Sequence, residues 1–297
     1  MMNDQAERLR RLVNSSKVQD KKGVVVGILS GKGGVGKSVF SINFSISLSQ
    51  MGKKVLIIDL DVGMGNIDHL LGKPAKYNIA DSIHDKLRLD DVIFTGPGNI
   101  SCISGGNGMD NLFRLEEQNL SVFLEQIERI RKKYDYVLFD FGAGVSEDMI
   151  HFLLAAHQII LVTTPEPPAM ADAYSALKLL LPNNQNLQVS CVVNMVENLQ
   201  EGRETWERLS GASARFMGKG IKWLTALHRD RAVLRSVKEQ VPCVLQYPRS
   251  KYSVEMKLLA SSFIIGEQTG EAAFSGKTYS FSTRVKSYFR MFGGKKL

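Results

Sequence analysis

Short apolar runs alternate along the chain with longer amphipathic stretches. The runs Val24–Leu29, Val55–Ile58, Ile100–Ser104, Tyr136–Asp140, Ile159–Thr163, Val189–Asn194 and Ile221–Thr225 predict seven strands. Between them, apolar residues recurring every three or four positions predict helices at Val39–Leu48, Leu115–Arg131, Glu147–Ala155, Ala169–Leu180 and Thr205–Phe216. A last body helix is expected over Val254–Ile265. This alternation predicts an α/β fold, a doubly wound and mostly parallel sheet of about seven strands with helices on both faces.

The two ends of the chain read differently from the body, residues 23–265. Residues 1–22 form a charged arm in which Ala6, Leu9, Leu12 and Val13 recur at helical spacing among Arg8, Arg10 and Arg11, which predicts a short amphipathic helix. At the other end, residues 266–279 carry Gly266, Gly270, Ser275 and Gly276 and read as a linker to residues 280–297. There Phe281, Val285, Tyr288, Phe289 and Phe292 fall within an arc of about 100°, with Lys286 and Arg290 opposite. Aromatic residues opposite cations suit a helix lying in a membrane surface; docking on its own domain is the competing reading. The linker, which detaches the segment from the core, favours the membrane.

Composition narrows the function classes. With 297 residues, 44% of them hydrophobic, the chain can bury a sizeable core. No apolar run reaches the ~18 residues of a membrane span, and Asp4 and Glu7 stand where a secretory leader would be apolar. A cytoplasmic protein is expected. Cys102, Cys191 and Cys243 lie far apart with no C-x-x-C among them, so they read as buried thiols and argue against an iron–sulfur carrier. The five histidines, with no H-x-x-x-H pair, read as structural or surface residues. Six of the eight net positive charges sit in residues 277–297, which carry no acid. The nearly neutral body argues against a nucleic-acid-binding surface there and turns the basic tail toward an acidic partner such as lipid.

The candidate chemistry centres on Gly31-Lys32-Gly33-Gly34-Val35-Gly36-Lys37-Ser38, which fits the phosphate-loop pattern G-x-x-x-x-G-K-[ST] and runs into a helix at Val39. Its glycines let backbone N–H groups converge on phosphate oxygens. Lys37 is placed to reach the β- and γ-phosphates of ATP and the Ser38 hydroxyl to ligate Mg²⁺. Asp140 closes an apolar run, where a carboxylate suits the metal or its waters. Asp59 and Asp61 end another strand, placing Asp59 toward metal-bound water and Asp61 toward an attacking water. Gly142-Ala143-Gly144 reads as a switch loop.

Together, Lys32–Ser38, Ile58–Asp68 and Asp140–Gly144 resemble the MinD/ParA-type ATPases with a deviant Walker A loop. Within that group the chain is similar to the flagellar-number regulators called FlhG, YlxH or FleN, through Thr163–Pro167, Asp172-Ala173-Tyr174 and Lys178. The resemblance implies a slow, regulated ATPase with Mg²⁺ as cofactor. It implies a homodimer formed with ATP, in which Lys32 reaches the partner's nucleotide, and Asn194 at the adenine edge. Asp4, Gln5, Ala6, Leu9 and Arg10 resemble an N-terminal motif that stimulates the GTPase FlhF, with Gln5 as the activating side chain. Other partners implied are a FleQ-like transcriptional regulator, flagellar switch proteins and inner-membrane lipids reached by the tail helix in the ATP-bound state. Two alternatives carry the same loop: a septum-site cell-division regulator of the MinD type, and a ParA-like DNA-partitioning ATPase.

Overall fold

The computed structural model describes residues 23–61, 67–84, 87–105, 117–145, 149–268 and 280–292. The N-terminal arm with Asp4, Gln5, Ala6, Leu9 and Arg10 lies outside them. In chain order the elements are β1 (Val24–Ser30), α1 (Lys37–Gln50), β2 (Val55–Leu60), α2 (Ile67–Leu70), α3 (Ile79–His84), β3 (Phe94–Thr95), β4 (Ser101–Ile103) and α4 (Glu117–Arg131). Next come β5 (Tyr136–Ala143), α5 (Ile150–Ala155), β6 (Gln158–Thr163), α6 (Pro167–Leu180), β7 (Gln188–Val196), α7 (Leu199–Met217) and β8 (Lys222–His228). The chain ends with α8 (Arg231–Glu239), α9 (Cys243–Gln246), α10 (Lys251–Gln268) and α11 (Phe281–Phe292).

The strands form one sheet in the order β3-β4-β2-β5-β1-β6-β7-β8. Seven strands are parallel. The eighth, β3, pairs antiparallel at the edge through Phe94 with Cys102 and Thr95 with Ser101. Two residues are too few to carry a periodicity, which is why the sequence predicts about seven strands rather than eight. β1, apolar as far as Leu29 and buried from Val25 onward, lies between β5 and β6. Its neighbours come from opposite directions in the strand order, which opens a crevice at the carboxyl ends of the strands, where ligands bind in such sheets.

Each face of the sheet carries its own apolar layer. On one face α1 and α10 pack together, with Phe44 and Phe263 edge to face at 5.2 Å and Tyr136 5.7 Å from Phe263. On the other, Phe123, Phe139, Phe152, Leu177 and Leu209 join β-strand residues in a second layer. Helix α7 begins six residues before the expected Thr205, because the Asn198 side chain accepts the Glu201 N–H (2.9 Å) and caps an earlier first turn. Helix α10 continues to Gln268, through the first three residues of the expected linker.

The C-terminal helix departs from the detached arrangement expected of it. Phe281 and Val285 are fully buried, and Tyr288 and Phe289 pack on the same layer. The Phe281 ring lies 5.4 Å from Phe139 and 6.5 Å from Phe152, and Phe289 meets His151 edge to face at 5.3 Å. Helix α11 ends at Phe292, whose side chain lies outside the described set. An amphipathic stripe specifies that one face must leave water but not what covers it, and here the covering surface is α4, α5 and β5. No helix among the described residues is long and apolar enough to cross a membrane.

Candidate functional site

A cavity of about 610 Å³ opens at the carboxyl end of β1. The loop between β1 and α1 forms one wall. Gly34 and Gly36 hold φ of +82° and +84°, values that an L side chain rarely adopts. Gly31 packs so closely on α6 that a Cβ would stand 2.1 Å from the Asp172 carbonyl carbon. The Ser30 hydroxyl donates to the Lys32 carbonyl (3.0 Å) and braces the turn. Helix α1 then starts at Lys37 with its N-terminal amides at the loop, an anion-binding arrangement.

The structure brings the expected residues together. Ser30, Lys32, Gly33, Gly34, Gly36, Lys37, Ser38, Val39, Asp61, Ala143 and Asn194 all line this cavity, with Val35 buried behind the loop. Lys37 is itself buried and donates to Asp140 Oδ1 (2.8 Å) and Ser38 Oγ (3.2 Å). Asp140 Oδ1 also accepts from Ser41 Oγ (2.9 Å).

Asp59 is held in place by two backbone amides, Asp61 N–H on Oδ1 (3.0 Å) and Ile67 N–H on Oδ2 (3.3 Å). Burial, and then the charge of Asp140, push its carboxyl up to about 7. Asp61 is half-buried and its carboxyl is also raised by burial. It leans over Gly142, where a Cβ would stand 3.0 Å from Asp61 Oδ1. The residues fit Mg²⁺: Asp140 Oδ2 is buried with no hydrogen-bond partner among the described residues, and Ser38, Asp59 and Asp140 supply only hard oxygen donors.

Asn194 has a structural duty that the resemblance did not imply. Its Nδ2 donates to the Val35 carbonyl (2.8 Å) and sits where a Cβ on Gly36 would be 2.6 Å away, so it props the phosphate loop. The next residue, Met195, takes φ +59° at a register shift in β7. The far half of the cavity was missed in the sequence: Met195, His228, Asp230, Val233, Leu234, Val237 and Tyr252 line it. The available signal was Asp230, whose carboxylate accepts the Ala232 N–H (2.8 Å) and caps α8. His228, expected to be structural or on the surface, is a wall of the cavity.

The ParA family, described as the NUBPL iron-transfer P-loop NTPase, matches residues 21–264. The chain belongs to the ParA/MinD-type P-loop NTPases. It is an ATPase of that family. It is 30% identical over 236 residues to the antiactivator FleN of Pseudomonas aeruginosa, covering 80% of this chain and 84% of FleN. It is 32% identical over 276 residues to the flagellum site-determining protein YlxH of Helicobacter pylori, covering 91% and 93%. Its fold matches the cell division ATPase MinD of Pyrococcus furiosus with a TM-score of 0.68 at 24% identity, over 82% of this chain and 99% of that one. MinD of Pyrococcus horikoshii, complexed with Mg-ADP, matches equally well at 23% identity. The three cysteines of this ATPase are free and buried, on β4, β7 and α9.

Proposed function

We propose that this ATPase is a nucleotide-driven switch that sets the number or placement of flagella. ATP pairs two copies, and the pair exposes a tail that binds the inner membrane. The observation that carries this reading is Lys32: it is exposed at the cavity mouth, and its ammonium has no partner among the described residues. It is therefore available to the triphosphate of a second copy. FleN and YlxH, similar over most of their length, support the flagellar role over septum placement or DNA partitioning.

In this reading the phosphate-loop amides and Lys37 hold the β- and γ-phosphates, and Lys32 from the opposing copy adds charge as negative charge develops on the transferred group. Ser38, Asp59 and Asp140 would hold Mg²⁺, which when bound neutralises phosphate charge. Asp61 orients the attacking water and takes up its proton. Its raised carboxyl makes it a better base once ionised, and the neutral fraction grows as pH falls.

The tail follows from the same elements. Asp140 lies in β5, and the next element, α5, carries His151 and Phe152, which face Phe289 and Phe281. A shift of α5 when nucleotide binds beside Asp140 would loosen the platform under α11 and free its aromatic face. One amphipathic helix binds membranes marginally; two on one dimer bind through effective concentration. The N-terminal arm, with Gln5, is assigned to stimulation of FlhF, and a FleQ-like regulator and flagellar switch proteins are further partners in this reading.

Co-flotation with anionic vesicles tests the switch, and flagellar counts in cells carrying the same variants test its output. Binding with an ATP analogue but not with ADP, lost in Lys32→Ala together with normal flagellar number, is the expected result. Equal flotation with both nucleotides would overturn the coupling.

A further inference from the structure

The phosphate loop fixes where a triphosphate lies, so a nucleobase must occupy the other half of the cavity. That half has apolar walls, Val233, Val237 and the exposed Leu234, suited to a flat ring. Two of its polar side chains are committed, and the buried Tyr252 hydroxyl has no partner among the described residues. Asp230 accepts the Ala232 N–H on Oδ1 (2.8 Å) and the Tyr252 N–H on Oδ2 (3.2 Å). Arg229 faces Glu197, with Nε 3.4 Å from Oε1.

His228 is different. Glu255, one turn into α10 from Tyr252, grips it twice: Oε2 accepts the His228 backbone N–H (3.0 Å), and Oε1 lies 2.6 Å from Nδ1. An ionised carboxylate only accepts, so Nδ1 carries a proton and donates it. Nε2, the other ring nitrogen, has no partner among the described residues, and it accepts in the tautomer whose proton sits on Nδ1. The ring is 8% exposed, held by Glu255 and part of the cavity wall.

We propose that His228, oriented by Glu255, reads the six-position of the purine and makes the site prefer adenine over guanine nucleotides. Nε2 accepts from the 6-amino group of adenine. Guanine presents a carbonyl oxygen there, and two acceptors would face each other. A site built around a hydrogen bond rejects the ligand that cannot make it, because a polar group is then left unpaired. His228 is a specificity-determining residue in this scheme, and Glu255 is a positioning residue that acts through it.

The test uses the full chain and three probes: ATP, GTP, and purine riboside triphosphate, which is ATP without its 6-amino group. The parent should bind ATP about tenfold more tightly than purine riboside triphosphate, and more tightly still than GTP. In His228→Ala the first ratio should fall to near one, the loss appearing as weaker ATP binding rather than as a lower melting temperature. Glu255→Ala, which releases the ring without removing it, should move the ratio the same way. If His228→Ala fails to fold, Glu255→Ala decides alone. A ratio that is the same in the parent and the folded variant would overturn the proposal. Failure of the parent to bind any of the three would instead overturn the nucleotide site itself.

Discussion

Lys37 Nζ lies 2.8 Å from Asp140 Oδ1, and both side chains are almost wholly buried. The cation proposed to bind phosphate and the carboxylate proposed to face Mg²⁺ therefore neutralise each other across the crevice. Removing one member of a buried pair leaves an uncompensated charge, typically costing about 3–5 kcal/mol. Lys37→Met is expected to abolish hydrolysis and to lower stability by roughly that amount at pH 8. Denaturant unfolding at that pH, with an ATPase assay, checks both parts.

Asp59 makes an opposite prediction. Its carboxyl is raised from 3.8 to about 7 by burial and by Asp140. The folded protein therefore holds a proton that the unfolded chain has released, and stability falls as pH rises from about 4 to about 7. Asp59→Asn removes this dependence. Its unfolding midpoint should exceed that of the parent at pH 8 and approach it at pH 5, although hydrolysis is lost. Thermal unfolding across this range decides the matter; a variant less stable than the parent at pH 8 would contradict the assignment.

Gly36 occupies a position where geometry leaves no room for a side chain. Its φ is +84°, and an added Cβ would press on Asn194 Nδ2 at 2.6 Å. Gly36→Ala is expected to cost about 1–3 kcal/mol and to weaken ATP binding more than tenfold, since it displaces the amide that props Val35. Calorimetric titration with ATP and an unfolding curve measure the two effects separately.

The docked tail predicts a gain of membrane binding. Phe152 is buried and lies beneath Phe281 without being part of the tail. Phe152→Ala should destabilise the protein by about 3–5 kcal/mol and loosen α11 while leaving its aromatic face intact. Vesicle flotation of this variant should then rise with ADP, where a single tail is freed, and stay below that of the ATP-bound pair. Truncation after residue 280 should abolish flotation altogether.

The residues on the phosphate side of the site were legible because each serves backbone or charge demands that few sequences meet. The loop glycines, Lys37, and carboxylates ending apolar strands have few other uses. The base side was less legible, since α8 is short and His228 and Glu255 lie 27 residues apart on different elements. Their pairing exists only after β8 and α10 pack together. The tail shows the same limit. Periodicity predicts the helix and its buried face correctly, but the choice between lipid and protein depended on Phe139, Phe152 and His151, which the chain supplies more than a hundred residues earlier.

The central claim is that the nucleotide decides whether one copy or two are present, through Lys32. Sedimentation velocity of the full chain with Mg²⁺ and either ADP or a non-hydrolysable ATP analogue measures this directly. The account predicts a single copy of 33.0 kDa with ADP, a pair with the analogue, and a single copy with both for Lys32→Ala. The same sedimenting species with either nucleotide, or an undiminished pair in Lys32→Ala, would contradict it.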